Sequence, residues 1–596
     1  MRHSRAVAYA ILAYGALWSV ISLLRYYSFT ASVFDLGVAM GYVTYATSSL
    51  SLHKLIAIVA LKPIVYLVAP IAYAFSFQGM LVFQSFFLGL GAYPIYRIAE
   101  KSLQSERIAL LLAIAYLLYF PLAGINWFDF HYQALFPTLF LFGYLFYVER
   151  RELLSLIFMI LSGLVHYPYT VFPLMFALML MIGKNRRRDI RIWLPLLLVT
   201  SAIIALNVAL YGLFGATYGT VAAPLQRPTH AQVLLTVLIA FLPLSFIFVI
   251  SRWAFFLIPF LALISTTHYA YYVYPLVFRS QYGALYIPFV FLGTIEGIGT
   301  LERRNIADKR RAAAVVFLGV LIFASIYQPY SPLNAYTSVN YGFSRVLSVN
   351  LTQYDQLMKL LSLIPPGSKV LIPENVPEAF YPYYRLQPYS NGYTDPELVF
   401  NHTIQYIVVG PYGEAYYSIP PHPMIPMNEL VVNASEMGYG IYAEAYGMMV
   451  LKYNYTGQPV YYYPLREYFP SSGFIPTAPW FLKNGLITAT DVREVQLWYG
   501  PELLLPPGKY TMIVFVKTTS FSRDNWMGIA VYANYQTKLI TVYYLNGASL
   551  KPGWNPVKIS FEVPQIYENE EVVGYAYNWT GTLWVQGIYV NQTSYI

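Results

Sequence analysis

The chain has 596 residues, of which 57% are hydrophobic and only 11% charged, against about 25% charged in an average soluble domain. That composition excludes a protein wholly dissolved in water, and the lack of any cysteine excludes a disulfide framework, a thiol nucleophile and a cysteine-held metal. The net charge of +9 is uneven: residues 1–328 carry 23 Lys and Arg against 10 Asp and Glu, whereas 329–596 carry 14 against 18; no basic arm with interleaved aromatics marks nucleic acid as a partner.

Residues 6–24 are apolar over a length that crosses a bilayer as helix, and no small-residue cleavage site follows, so the run reads as an uncleaved first span. Residues 25–79 then form a long external loop, although 55–75 is apolar. Lys54, Lys62, Pro63 and Pro70 fit an interfacial or re-entrant helix there better than a clean span. Further spans are predicted near 80–97, 107–123, 132–148, 153–166, 168–183, 192–213, 231–250, 254–266, 281–297 and 312–328, about 11 in all. GLGAY at 89–93 reads as a helix-packing glycine pair.

Basic residues gather in short loops: Arg2 and Arg5; Arg97, Lys101 and Arg107; Arg150 and Arg151; Lys184 to Arg191; Arg303 to Arg311. The positive-inside rule places these loops and the N-terminus in the cytoplasm, so the chain after about residue 329 is expected outside the cell membrane. Asn-x-Ser/Thr acceptors agree with that placement. They occur at Asn350, Asn401, Asn433, Asn454, Asn578 and Asn591, with none in 1–328.

The fold class expected is thus a polytopic α-helical membrane protein (transmembrane domain 1–328) carrying an extracytoplasmic α/β module at 329–455, a linker at 456–479 and a β-sandwich of jelly-roll type at 480–596. TQYDQLMKLLSLI has helical spacing, and KVLIPENV and QYIVVG read as short buried strands. From 480 onward, alternating runs separated by PPGK, NG and KPGWN turns read as seven or eight antiparallel strands. Trp480, Trp498, Trp526, Trp554, Trp579 and Trp584 fall there, either as core or as rings that stack on sugars.

Of the ten acidic residues in 1–328, only Asp35 in SVFDLG and Asp129 in NWFDFHYQ fall on the external side. A carboxylate beside hydrocarbon is costly, so one retained there has a task or a partner. Arg25, His53, Lys54, Lys62, His131, Arg227 and Arg279 share that side, and together they fit a cationic cavity that holds a phosphate beside a carboxylate that accepts a proton. Asp129 and His131 lack the second histidine pair that zinc wants, while a hard divalent cation, Mg²⁺ or Mn²⁺, on Asp35, Asp129, phosphate and water is left open.

The segments SVFDLGVAM, QSFFLGLGAYPIYRIAEK, NWFDFHYQALFPTLFLFGYLF, FRSQYGALYIPFVFLGTIEGI and SLIPPGSKVLIPEN resemble a family of prokaryotic polytopic membrane proteins of unknown function, over roughly residues 1–455. That family is similar to the GT-C superfamily of membrane glycosyltransferases, such as the protein mannosyltransferases and lipid A aminoarabinose transferases. The resemblance implies an enzyme that takes a sugar from a polyprenyl-phosphate donor and passes it, with inversion, to a cell-surface glycan or glycoprotein on the outer face. It implies Asp35 as the acidic residue of the first external loop, with Asp129 and His131 beside it. Arg25, His53, Lys54, Lys62, Arg227 and Arg279 would neutralise the departing lipid phosphate. Two other readings stand beside it: a membrane-anchored surface scaffold or carbohydrate-binding protein without chemistry, and a lipid transporter. The transporter predicts paired ionisable residues at mid-span or repeated halves, and neither is found.

Overall fold

Without water to bond to, a long apolar run satisfies its own backbone only as helix, and the first unit of the chain, Met1–Val349, is built of such helices. The structure, a computed structural model, describes the chain apart from residues 1, 31–34, 48–54, 57, 59–61, 212–227, 268–272, 275, 330, 332–348, 374–375, 377–385, 391–396, 411–426 and 596. Helices Arg2–Tyr27, Glu106–Leu118 with Phe120–Phe128, Phe136–Val148, Glu152–Gly163, Val171–Ile182, Ile190–Tyr211, His230–Phe241, Ile258–Thr266, Ile287–Arg303 and Lys309–Tyr327 overlap the predicted spans, and among the described residues five helical runs are long and apolar enough to cross a membrane, the others being shorter apolar helices. The protein is a multi-pass membrane protein.

The apolar stretch 55–75 runs on into the next predicted span. From Val65 it is already the start of a helix that runs to Leu90 and, after Gly91, continues as Ala92–Leu103. At 1.5 Å per residue those 39 residues would extend roughly 58 Å, about twice the hydrocarbon thickness of a bilayer. The run breaks at Ser76, whose φ of 55° is not helical. A short apolar arm is thereby separated from an arm of membrane length.

Ion pairs tie the basic loops together at one end of the bundle. His3 meets Glu106 at 2.8 Å, Glu149 takes Arg97 at 3.5 Å and Lys101 at 3.2 Å, Asp189 takes Arg150 at 3.5 Å, and Arg252 meets Glu296 at 3.2 Å. Arg25 stands 22 residues along the first helix from His3, about 33 Å away, so it marks the other end. Between the ends the core is aromatic, with Phe289 contacting Phe140 at 5.0 Å, Phe172 at 4.8 Å and Phe256 at 4.9 Å between ring centres. The GLGAY glycines pack helices as expected. A Cβ on Gly89 would lie 2.9 Å from Tyr14, and one on Gly91 would lie 2.3 Å from the Tyr116 hydroxyl.

The second unit, Asn350–Ile596, holds two sheets. In the first, strand Lys369–Ile372 pairs in parallel with Gln387–Ser390 and Tyr406–Val409, and Tyr406–Val409 pairs antiparallel with Met448–Tyr453. Tyr439–Ala445 and Met448–Tyr453 form a hairpin across Tyr446 and Gly447, both with positive φ, as a two-residue primed turn requires. Helix Leu351–Ser362 packs against this sheet, and Asn350 caps it by accepting from the Gln353 N–H at 3.1 Å.

In the second sheet, Glu570–Tyr595 is a single 26-residue strand that both layers of the sandwich share. Its first half pairs with Trp526–Ala533 and Leu486–Tyr499, its second with Gly508–Thr518 and Arg466–Pro470. Residues 456–479, expected as a linker, are threaded into both sheets. Tyr462–Tyr463 adds an edge to the first, and Arg466–Pro470 pairs with the long strand of the second.

The two sheets of this unit meet at a buried polar junction, where Gln592 donates to Glu444 while its own carbonyl oxygen accepts from the Leu465 N–H at 3.2 Å. Burial pushes the Glu444 carboxyl up from 4.5 to about 8, the Gln592 hydrogen bond opposing in part. Glu467 on the adjoining strand is raised to about 7 by the same cause. Both are protonated more readily folded than unfolded, so the stability they confer is complete below about pH 4.5 and is lost as pH rises through 7 to 8. The thermal midpoint of this unit, followed by near-ultraviolet dichroism of the full chain, is expected to fall between pH 5 and 9. Glu444→Gln should flatten that fall; an unchanged slope would remove Glu444 as its cause.

Candidate functional site

The end of the bundle away from the basic loops is built around the loop that joins helix Phe120–Phe128 to the turn Tyr132–Leu135. Phe120–Phe128 stops at Asp129, whose backbone is extended, and three residues turn through the interior before the next helix begins. Asp129 is buried, with both carboxylate oxygens engaged. Oδ1 accepts from the Phe130 N–H at 2.9 Å and Oδ2 from the Leu36 N–H at 3.2 Å. Leu36 opens helix Asp35–Thr47, so Asp129 supplies, from 93 residues away, the acceptor that a helix start needs, at the end where the helix dipole favours negative charge.

Gln84 fixes the same loop from the other side. Its Nε2 donates to the Asp129 carbonyl at 2.7 Å and its Oε1 accepts from the His131 N–H at 2.9 Å. His131, itself buried, directs Nε2 at Asp35 Oδ2, 3.1 Å away. Its Nδ1 is buried without a partner, so Nε2 carries the ring proton and donates to the carboxylate. Asp35 remains about one-third exposed while the imidazole is 9% exposed. Tyr132 closes the arrangement, its hydroxyl donating to the Ala39 carbonyl at 2.6 Å and so pinning helix Asp35–Thr47 from its middle.

Lys62 stands over the Tyr42 ring at 4.3 Å, near enough for the Asp35 charge to act on its ammonium. Arg25 is placed differently from expectation. It is buried, its guanidinium lies 3.9 Å from the centre of the Trp127 ring and donates to the Thr30 carbonyl, and its charge acts on Asp129. A cation enclosed in this way is placed to brace the site from within. His53, Lys54 and Arg227 lie outside the described residues, as does the side chain of Arg279.

Three of the four Asp35 and Asp129 carboxylate oxygens that a divalent cation would need are already engaged. Asp129 spends both on backbone N–H groups, Asp35 faces an imidazole N–H, and among the described residues no three His, Asp or Glu side chains gather as a metal cluster. These residues do not fit the cation that the sequence left open, and no step is derived through one. Of the acceptor asparagines, Asn401, Asn454 and Asn578 are exposed and Asn433 and Asn591 half-buried, whereas the amide nitrogen of Asn350 donates to the Tyr446 hydroxyl at 2.8 Å. A cavity of about 270 Å³ at the opposite end of the bundle is lined by Arg252, Glu296, Arg303 and Tyr144. Its carboxylate is paired to Arg252 at 3.2 Å, so it offers no base.

Gln84 and Tyr132 were not singled out from the sequence. Gln84 had a readable mark, an amide in the middle of the apolar run MLVFQSFFLGL, where a polar group must find a partner.

The class that emerges is a multi-span helical membrane protein with a carboxylate–imidazole pair held at one end of its bundle. The family described as "Predicted membrane protein (DUF2079)" matches residues 25–449, and the chain belongs to it. No curated protein matches the sequence. Among solved structures the chain is similar to ArnT from Cupriavidus metallidurans in the apo state, at 11% identity over 74% of this chain and 98% of that one, with a TM-score of 0.42. It is also similar to the arabinofuranosyltransferase AftD from Mycobacteria, at 11% identity and a TM-score of 0.38, over 97% of this chain and 61% of that one. A third likeness, at 10% identity and a TM-score of 0.15, joins 22% of this chain to 88% of a carbohydrate binding module from Cellvibrio mixtus lichenase 5A in complex with cellotriose. The resemblance read from the sequence to a family of polytopic membrane proteins holds.

Proposed function

We propose that the protein is a membrane glycosyltransferase that moves a sugar from a polyprenyl-phosphate donor to a cell-surface glycan or glycoprotein, with the Asp35 end of the bundle and the unit Asn350–Ile596 on the outer face. The observation that carries this reading is the Asp35–His131 pair: a half-open carboxylate, oriented by a buried imidazole, at the end of the bundle away from the basic loops. In the reaction the Asp35 carboxylate takes the proton of the acceptor hydroxyl while that oxygen attacks the anomeric carbon from the face opposite the phosphate. The bond from that carbon to the phosphate oxygen breaks, its electron pair leaves with the lipid phosphate, and Lys62 neutralises the charge that develops there. The imidazole N–H keeps the carboxylate aimed throughout. Asp129, expected from the sequence as a second catalytic carboxylate, holds helix Asp35–Thr47 and thereby the position of Asp35.

The purified full chain in lipid nanodiscs is expected to transfer label from polyprenyl-phosphate hexoses or pentoses to an envelope fraction, giving a product of inverted anomeric configuration by NMR. Failure with every donor of that panel would remove the enzymatic reading. Lys62→Ala should weaken donor binding, raising KM about tenfold with a smaller change in kcat, because a phosphate contact is present in both ground and transition states.

A further inference from the structure

The sandwich contains an aromatic surface that its core does not use. Of its tryptophans, Trp498 and Trp579 are fully buried, whereas Trp526 is 43% exposed. Strand Trp526–Ala533 directs Met527, Ile529 and Val531 into the core, so alternation puts Trp526, Gly528, Ala530 and Tyr532 on the other face, where Gly528 and Ala530 are covered and Trp526 and Tyr532 remain accessible. Register brings the neighbours onto that same face. Gly528 lies opposite Tyr544 on one side and Tyr575 on the other, and Trp526 lies opposite Tyr577. Glu494 and Gln496 continue the row on the next strand, opposite Tyr577 and Tyr575.

Gly528 sits at the centre of these rings. A Cβ there would lie 3.3 Å from the Tyr577 ring and 3.5 Å from the Tyr544 ring, so both rings lean over the bare glycine. Tyr544 is nonetheless 58% exposed, and the Tyr575 and Tyr577 rings are nearly parallel, 20° apart. Four strands at about 4.8 Å spacing make a face roughly 14 Å across, broad enough for several sugar rings. The exposed charged side chain in register with it is Glu494, which is acidic, whereas Glu571 is buried and accepts from Gln536.

We propose that this face, centred on Trp526, Tyr544 and Tyr577 around Gly528, binds a neutral glycan chain. Aromatic faces offer the apolar contact that the C–H side of a sugar ring takes up, the Glu494, Gln496 and tyrosine oxygens accept or donate hydrogen bonds to its hydroxyls, and the exposed Glu494 carboxylate disfavours polyanions. A packed core accounts for Trp498 and Trp579 but not for rings laid outward on a sheet. The surface is independent of the chemistry at Asp35 and would serve to hold a polymer whether or not that site transfers sugar.

The test is titration of the full chain in detergent with linear gluco-, manno- and arabino-oligosaccharides of four to six units, and with hyaluronate as an anionic control. At least one neutral series is expected to bind, with little dependence on salt. Trp526→Ala and Tyr544→Ala are each expected to weaken that binding about tenfold; both residues are exposed, so folding should be retained. Trp554→Ala, exposed elsewhere on the sandwich, should leave it unchanged, and so should Asp35→Asn, which separates this surface from the catalytic reading. No binding by any neutral series, equal binding by the Trp526 and Tyr544 variants, or preference for hyaluronate would each overturn the proposal.

Discussion

Asp35→Asn is expected to slow sugar transfer on the order of 10²- to 10⁴-fold, the usual worth of a positioned general base, while the thermal midpoint stays where it is. The amide has the shape of the carboxylate and still accepts from His131, and the position is one-third exposed, so little of the fold depends on its charge. Asp129→Ala should behave in the opposite way. It strips acceptors from the Leu36 and Phe130 N–H groups, and each buried donor left unpaired costs about 1–3 kcal/mol. Helix Asp35–Thr47 loses its start, and stability falls together with activity. Measuring rate and melting on the two variants in parallel separates base from brace; a stable Asp129→Ala as slow as Asp35→Asn would assign the proton to Asp129 instead.

That division of roles is where sequence reading stops. Scarcity made the two aspartates visible, because so few carboxylates lie among the apolar runs away from the basic loops, and the Asp129-Phe-His131 spacing brought the imidazole with them. Whether a carboxylate meets an imidazole or two backbone N–H groups depends on how the 129–131 loop turns against helix Asp35–Thr47, and no local pattern encodes a contact between residues 93 positions apart. Arg25 shows the same limit: at the end of a span it reads as a group facing outward, and only the packing of Trp127 over it reveals a brace.

In the second unit, the runs KVLI, YIVV and YTMIVFVKT were legible because each alternates or stays apolar over strand length. Residues 570–577, with glutamates at the start and a glycine in the middle, break that alternation, and so the first half of the long strand was not legible. Its pairing on both sides supplies what its own pattern lacks.

Gly574, the glycine in that half, yields the sharpest stability prediction. It lies opposite Trp498 across the two strands, and a Cβ there would come within 1.9 Å of the indole Cζ3 and 2.0 Å of Cη2. The indole has no room to retreat. It is fully buried and its other side faces the Phe474 ring, 5.8 Å away and nearly parallel. Gly574→Ala is therefore expected to destabilise the sandwich by about 3 kcal/mol or more, at the upper end of what overpacking a dense core costs. Trp498→Leu alone should also cost stability, by opening a cavity. In the double variant the smaller side chain makes room for the new methyl, so the loss should be less than the sum of the two single losses, a coupling expected only between residues in contact. Urea unfolding of the full chain, followed by tryptophan fluorescence, gives the four values needed. Strict additivity would mean that the strand shifts to admit the methyl and that the indole does not block it.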